Sequence, residues 1–73
     1  MKQTDIILGQ IYYWEHVTAK GLIKIIRYDT NPQILIVKFI KNINNCEFLM
    51  SGERYVWSDC CRKLTNLEKM KYL

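Results

Sequence analysis

The sequence predicts an all-β domain: a single small barrel of about five short strands, with a 3₁₀ turn near residues 58–61 and a short C-terminal helix. Three observations lead there. Segments rich in branched and aromatic residues suit a pleated surface. Gly9, Gly21, Pro32 and Gly52 punctuate these segments at the intervals of a meander. The chain has 73 residues, 49% of them hydrophobic, which is room for one domain and enough apolar surface to fold it. The unit reads as 1–73, with the barrel over about 6–65 and a helical tail over 66–73.

The first segment runs from Ile6 to Val17 around the aromatic group Ile11-Tyr12-Tyr13-Trp14, and Thr18 to Gly21 reads as a loop. Leu22 to Tyr28 is the second strand. Asp29-Thr30-Asn31-Pro32 is the clearest turn, because Asp and Asn bond their own backbone and proline fixes its φ. Gln33 to Ile40 returns as the third strand and makes an antiparallel hairpin with the second. Lys41 to Asn45, polar and rich in asparagine, is expected to be a loop, Cys46 to Met50 a fourth strand, and Tyr55-Val56-Trp57 another extended piece. Ser58 to Cys61 is one helical turn, capped by Ser58 or Asp59, and Arg62 to Thr65 is a closing strand. Asn66 to Leu73 is a helix with Leu67, Met70 and Leu73 on one face, too short to stand without docking.

The third strand is apolar on both faces: Leu35, Val37 and Phe39 point one way, Ile34, Ile36 and Ile40 the other, with Lys38 among them. Two readings follow. A strongly coiled sheet lets one long strand serve two halves of a core, or the second face meets a partner or another copy of the chain.

The order Gly9-Gln10-Ile11-Tyr12, Gly21-Leu22-Ile23-Lys24-Ile25 and Ile36-Val37-Lys38-Phe39, ending in Tyr55-Val56-Trp57-Ser58-Asp59 and Arg62-Lys63-Leu64, resembles SH3-like small barrels of the KOW and Tudor kind. The resemblance covers most of residues 9–65 and implies a strand that passes through a 3₁₀ turn into a short closing strand. The acidic loop of proline-binding SH3 domains is missing, and no complete methyl-lysine cage can be assigned. A short lone barrel rich in Ile, Lys and Asn is also similar to many small proteins of bacteriophages and mobile elements.

Composition excludes several functions. The longest apolar runs, Leu22 to Ile26 and Ile34 to Ile40, each carry a lysine, so no membrane span is expected. The opening Met1 to Asp5 lacks the pattern of a secretory signal, and Cys46, Cys60 and Cys61 make a poor disulfide framework, so the expected compartment is the cytoplasm of the producing or host cell. Enzyme chemistry is not expected: His16 is the single histidine, and a His16 pair with Cys60 or Cys61 would have little room to bury a substrate. The same residues with Cys46 number four zinc ligands, but adjacent cysteines do not easily share one tetrahedral ion. No cofactor is expected.

Two classes of binding remain. Protein binding would use Tyr12, Tyr13, Trp14, Ile34 and Ile36 as anchors, as in a small adaptor or inhibitor directed at a host or defence protein, or in a homodimer. The alternative is a nucleic-acid-binding barrel. Its net charge of +4 is spread over Lys20, Lys24, Arg27, Lys38, Lys41, Arg54, Arg62 and Lys63. There Lys24, Arg27 and Arg54 would hold phosphates, while Tyr28 and Tyr55, with Tyr12 and Trp14, stack on bases.

Overall fold

A computed structural model describes residues 5–73; Met1 to Thr4, which belong to the expected signal-free N-terminus, lie outside the described residues. Strands β1 (Ile11–His16), β2 (Ala19–Tyr28), β3 (Ile34–Asn44), β4 (Glu53–Trp57) and β5 (Cys61–Arg62) precede helix α1 (Asn66–Tyr72). They form one antiparallel sheet in the order β4-β3-β2-β1-β5. The sheet is open: β4 and β5 are its two edges, and no strand among the described residues joins them.

The β1–β2 hairpin is tighter than the sequence suggests. His16 pairs with Ala19, so the turn is Val17-Thr18 alone, and the expected loop at Thr18 to Gly21 is mostly strand. The first strand is correspondingly shorter than Ile6–Val17. Residues ahead of it are tied down instead by Gly9 N–H to the Ile25 carbonyl (2.9 Å) and Ile25 N–H to the Gln10 carbonyl (3.1 Å). The β2–β3 turn forms as expected, with Asp29 Oδ2 accepting from the Asn31 amide (3.3 Å) and Asn31 Oδ1 from the Gln33 amide (2.9 Å).

β3 extends through the asparagine-rich stretch expected to be a loop. The asparagines there bond the backbone of neighbouring segments: Asn44 Nδ2 donates to the Thr18 carbonyl (2.7 Å), and Asn42 Oδ1 accepts from the Cys46 amide (3.1 Å). Cys46 to Met50 is not a strand. Asn45 takes a left-handed φ of 52°, and Glu47–Leu49 form a 3₁₀ turn. A second 3₁₀ turn, Ser58–Cys60, joins β4 to β5 where the sequence places it. No side chain caps it; its stabilising contact is Ser58 N–H to the Gln33 carbonyl, 2.8 Å. The closing strand begins one residue early and spans only Cys61–Arg62.

Three register shifts between β2 and β3 increase the twist of the sheet. Its inner face carries the main core: Tyr12, Trp14, Ile23, Ile25, Leu35, Val37, Phe39, Val56 and Cys61, with Ile6 and Cys46 closing its ends. Trp14 meets Phe39 edge-on at 4.9 Å between ring centroids. Gly21 lets this end close: a Cβ there would stand 2.8 Å from Cys46 Sγ and 2.9 Å from the Lys41 carbonyl oxygen.

The outer face is partly covered by the chain's own C-terminal segment. Tyr13 and Leu22, neighbours across β1 and β2, pack with Leu64, and Ile11, Ile43 and Tyr72 lie against them. α1 therefore docks through Tyr72. The face expected to dock, Leu67, Met70 and Leu73, points to solvent. The helix is held by a capping box in which Thr65 and Glu68 bond each other's backbone amides, and by Arg62, whose two terminal nitrogens reach Glu68 at 2.7 Å each. Among the described residues no helix is long and apolar enough to cross a membrane.

Candidate functional site: an aromatic groove beside a free strand edge

Among the described residues β4 pairs with β3 alone, on one side. The Ser58–Gln33 bond sets the alternation of the antiparallel ladder, so that Arg54 and Val56 direct their backbone groups toward β3 while Tyr55 and Trp57 direct theirs outward. Beside this edge runs a groove of about 280 Å³ whose walls include Trp14, His16, Phe48, Val56 and Trp57. Phe48, Tyr55 and Trp57 are 71%, 67% and 52% exposed. Phe48 is placed by the Glu47–Leu49 turn, and Arg54 Nη2 anchors that turn by donating to the Phe48 carbonyl at 2.9 Å. His16 stacks on Trp14, with centroids 6.2 Å apart. The groove can admit a bulky apolar side chain, and the strand edge beside it offers backbone donors and acceptors.

The anchors expected for protein binding fare differently. Tyr12, Tyr13, Trp14 and Ile36 are buried, so none stands on the surface as the sequence suggests. Tyr12 and Trp14 belong to the core because their strand parity places them on the inner face. Tyr13 lies on the outer face but under Leu64, Tyr72 and the Arg62 guanidinium, 4.0 Å above its ring. Ile36 sits between Arg27 and Tyr55, its partners on β2 and β4, and the Arg27–Glu53 ion pair (2.8 Å) spans β3 beside it. Ile34 is half-buried next to Trp57 in the register. Trp57 is the exposed tryptophan, whereas Trp14 is buried.

The nucleic-acid set is divided. Lys24, Arg27 and Tyr55 share the outer face. Tyr28 and Arg54 have the opposite parity and structural duties: the Tyr28 hydroxyl donates to the Ile6 carbonyl, and Arg54 holds the Phe48 turn with its Nε buried and unpartnered.

His16 and Cys60 both border the groove, but the thiol is poorly suited to attack. Burial, then the Asp59 carboxylate, raises its pKa, the opposite of what a nucleophile needs. Cys61 is pushed up to about 12 by burial. Among the described residues no three His, Cys, Asp or Glu side chains gather to hold a metal ion.

Phe48 is the groove residue that the sequence reading missed. The signal was its place after Lys41 to Asn45, where turn residues give way to a lone aromatic outside any alternating pattern. No protein-family model matches the chain, and no curated protein or solved structure is significantly similar to it.

Proposed function

We propose that the protein is a small non-enzymatic binding domain, of SH3-like barrel type, that acts by protein–protein interaction. The observation that carries the reading is the presence of two exposed aromatic residues, Phe48 and Trp57, in the lining of a groove beside a strand edge that is unpaired among the described residues. Exposed rings of this size recur as interface anchors, and an edge strand offers hydrogen bonds to an extended segment. The barrel assignment is supported by the return of β5 to β1 after a 3₁₀ turn. The non-enzymatic part is supported by a Cys60 thiol whose surroundings disfavour the thiolate. Such a domain works as an adaptor or inhibitor by occupying a surface of a larger partner, for which a host or defence protein is the proposed class.

The test is affinity capture from nuclease-treated host lysate with the wild type and with Phe48→Ala and Trp57→Ala. The expected result is one protein held stoichiometrically by the wild type and lost by both variants, whose melting temperatures stay within a few degrees of wild type. A protein retained by both variants, or capture that nuclease abolishes, overturns the reading.

A further inference from the structure

The outer face carries a second feature that the groove leaves unused. Cross-strand register places Ile11, Lys24, Lys38 and Glu53 in one row over β1 to β4. The adjoining rows hold Arg27, Ile36 and Tyr55 on one side, and Tyr13, Leu22 and Lys41 on the other. Lys24 and Lys38 are therefore exposed and directly opposite each other, an arrangement that costs a sheet stability. The neighbouring carboxylate, Glu53, is engaged by Arg27 at 2.8 Å. Among the described residues Lys24, Lys38 and Lys41 take part in no ion pair. One row from the lysines stands the Tyr55 ring, two-thirds exposed.

We propose that this face binds single-stranded nucleic acid, with Lys24, Lys38 and Lys41 holding successive phosphates and Tyr55 stacking on a base. The opposed lysines call for a polyanion, since a phosphate between them converts mutual repulsion into two attractions. The exposed ring next to them selects a nucleic acid with unstacked bases over a duplex or an acidic peptide. α1 and Leu64 cover the far end of the same face, leaving an open strip from Lys41 past Lys24 and Lys38 to Tyr55. The proposal does not use the groove's Phe48 or Trp57 and shares with the groove only Tyr55, which also borders it, so Phe48→Ala and Lys24→Gln separate the two readings.

The experiment is fluorescence anisotropy with labelled oligothymidylate and oligouridylate of about 12 nucleotides, within the span of a small barrel. A duplex of equal length and polyglutamate serve as competitors. Three phosphate contacts predict a roughly 20-fold loss of affinity between about 50 and 200 mM salt. Lys24→Gln and Lys38→Gln should each flatten that slope, and Tyr55→Ala should weaken binding about tenfold with little change in slope. Lys24→Gln should also leave the melting temperature unchanged or raised, which separates lost contacts from a lost fold. Phe48→Ala should bind the oligonucleotide as the wild type does. Absence of binding at low salt, equal competition by polyglutamate or duplex, or full affinity in the Lys24→Gln/Lys38→Gln double variant overturns the proposal.

Discussion

The Arg62 guanidinium lies 4.0 Å above the Tyr13 ring while its two terminal nitrogens hold the Glu68 carboxylate at 2.7 Å each. One side chain thus joins an edge strand, the aromatic face beneath it and the first turn of the C-terminal helix. Arginine suits the place because its planar fork can stack on a ring and bind a carboxylate bidentately at once. A lysine there would keep the charge and lose the geometry.

That junction makes a pH prediction. Arg62 first, then the Thr65 amide, lowers the Glu68 carboxyl from its ordinary 4.5 to about 2. A folded-state pKa below the unfolded one stabilises the fold fully above the unfolded value, and the contribution is lost as pH falls toward about 2. Thermal melts between neutral and acid pH should show the wild type losing stability over this window. Glu68→Gln should start less stable and lose less there.

Tyr13→Ala should cost about 3 kcal/mol, the range for emptying a buried aromatic site. Tyr13 is 6% exposed and sits among Leu22, Leu64 and Tyr72. Tyr55→Ala, on an exposed ring, should cost under about 0.5 kcal/mol. Urea denaturation of the two variants checks the contrast; equal losses would refute the assignment of Tyr13 to the core.

Gly21→Ala should destabilise by about 1–3 kcal/mol. The added methyl meets Cys46 Sγ at 2.8 Å and the Lys41 carbonyl at 2.9 Å, and the backbone oxygen can move only with the β2–β3 pairing. The measurement is the urea midpoint, with hydrogen exchange expected to rise around Gly21 and Asn42.

Val17→Asn and Val17→Gly should each stabilise by about 1 kcal/mol. Val17 holds φ 55° in a two-residue turn and is exposed, so a β-branched side chain carries strain there without packing to offset it. A melting temperature unchanged or lowered in both variants would show that the turn has another conformation.

Much of the fold is legible in local chemistry. Asp29-Thr30-Asn31-Pro32 forms the expected turn because Asp and Asn bond their own backbone wherever they sit. The 3₁₀ turn at Ser58 and the helix beginning at Asn66 fall where the residues place them. The capping box is carried by local chemistry too, with Thr65 followed three positions later by Glu68. The errors cluster where long-range contacts override local preference. Lys41 to Asn44 look like a loop, yet extend β3 because Asn42 and Asn44 find partners in the Cys46 and Thr18 segments. Cys46 to Met50 look like a strand, yet turn because Cys46 is drawn inward beneath Gly21.

The candidate sites were less legible, for a related reason. By itself the sequence determined a small, strand-rich chain with a basic excess, a third strand apolar on both faces and a short capped helix, all properties of residue type and spacing. Tertiary structure alone decided which aromatics are covered. Tyr13 and Tyr55 are both strand tyrosines on the outer face, and they differ because Leu64 and Tyr72 return over the first and nothing among the described residues covers the second. The register of β2 against β3, with its three shifts, is what brings Lys24 opposite Lys38. Pairing at that distance depends on how the whole sheet twists and packs, and no local pattern of residues encodes it.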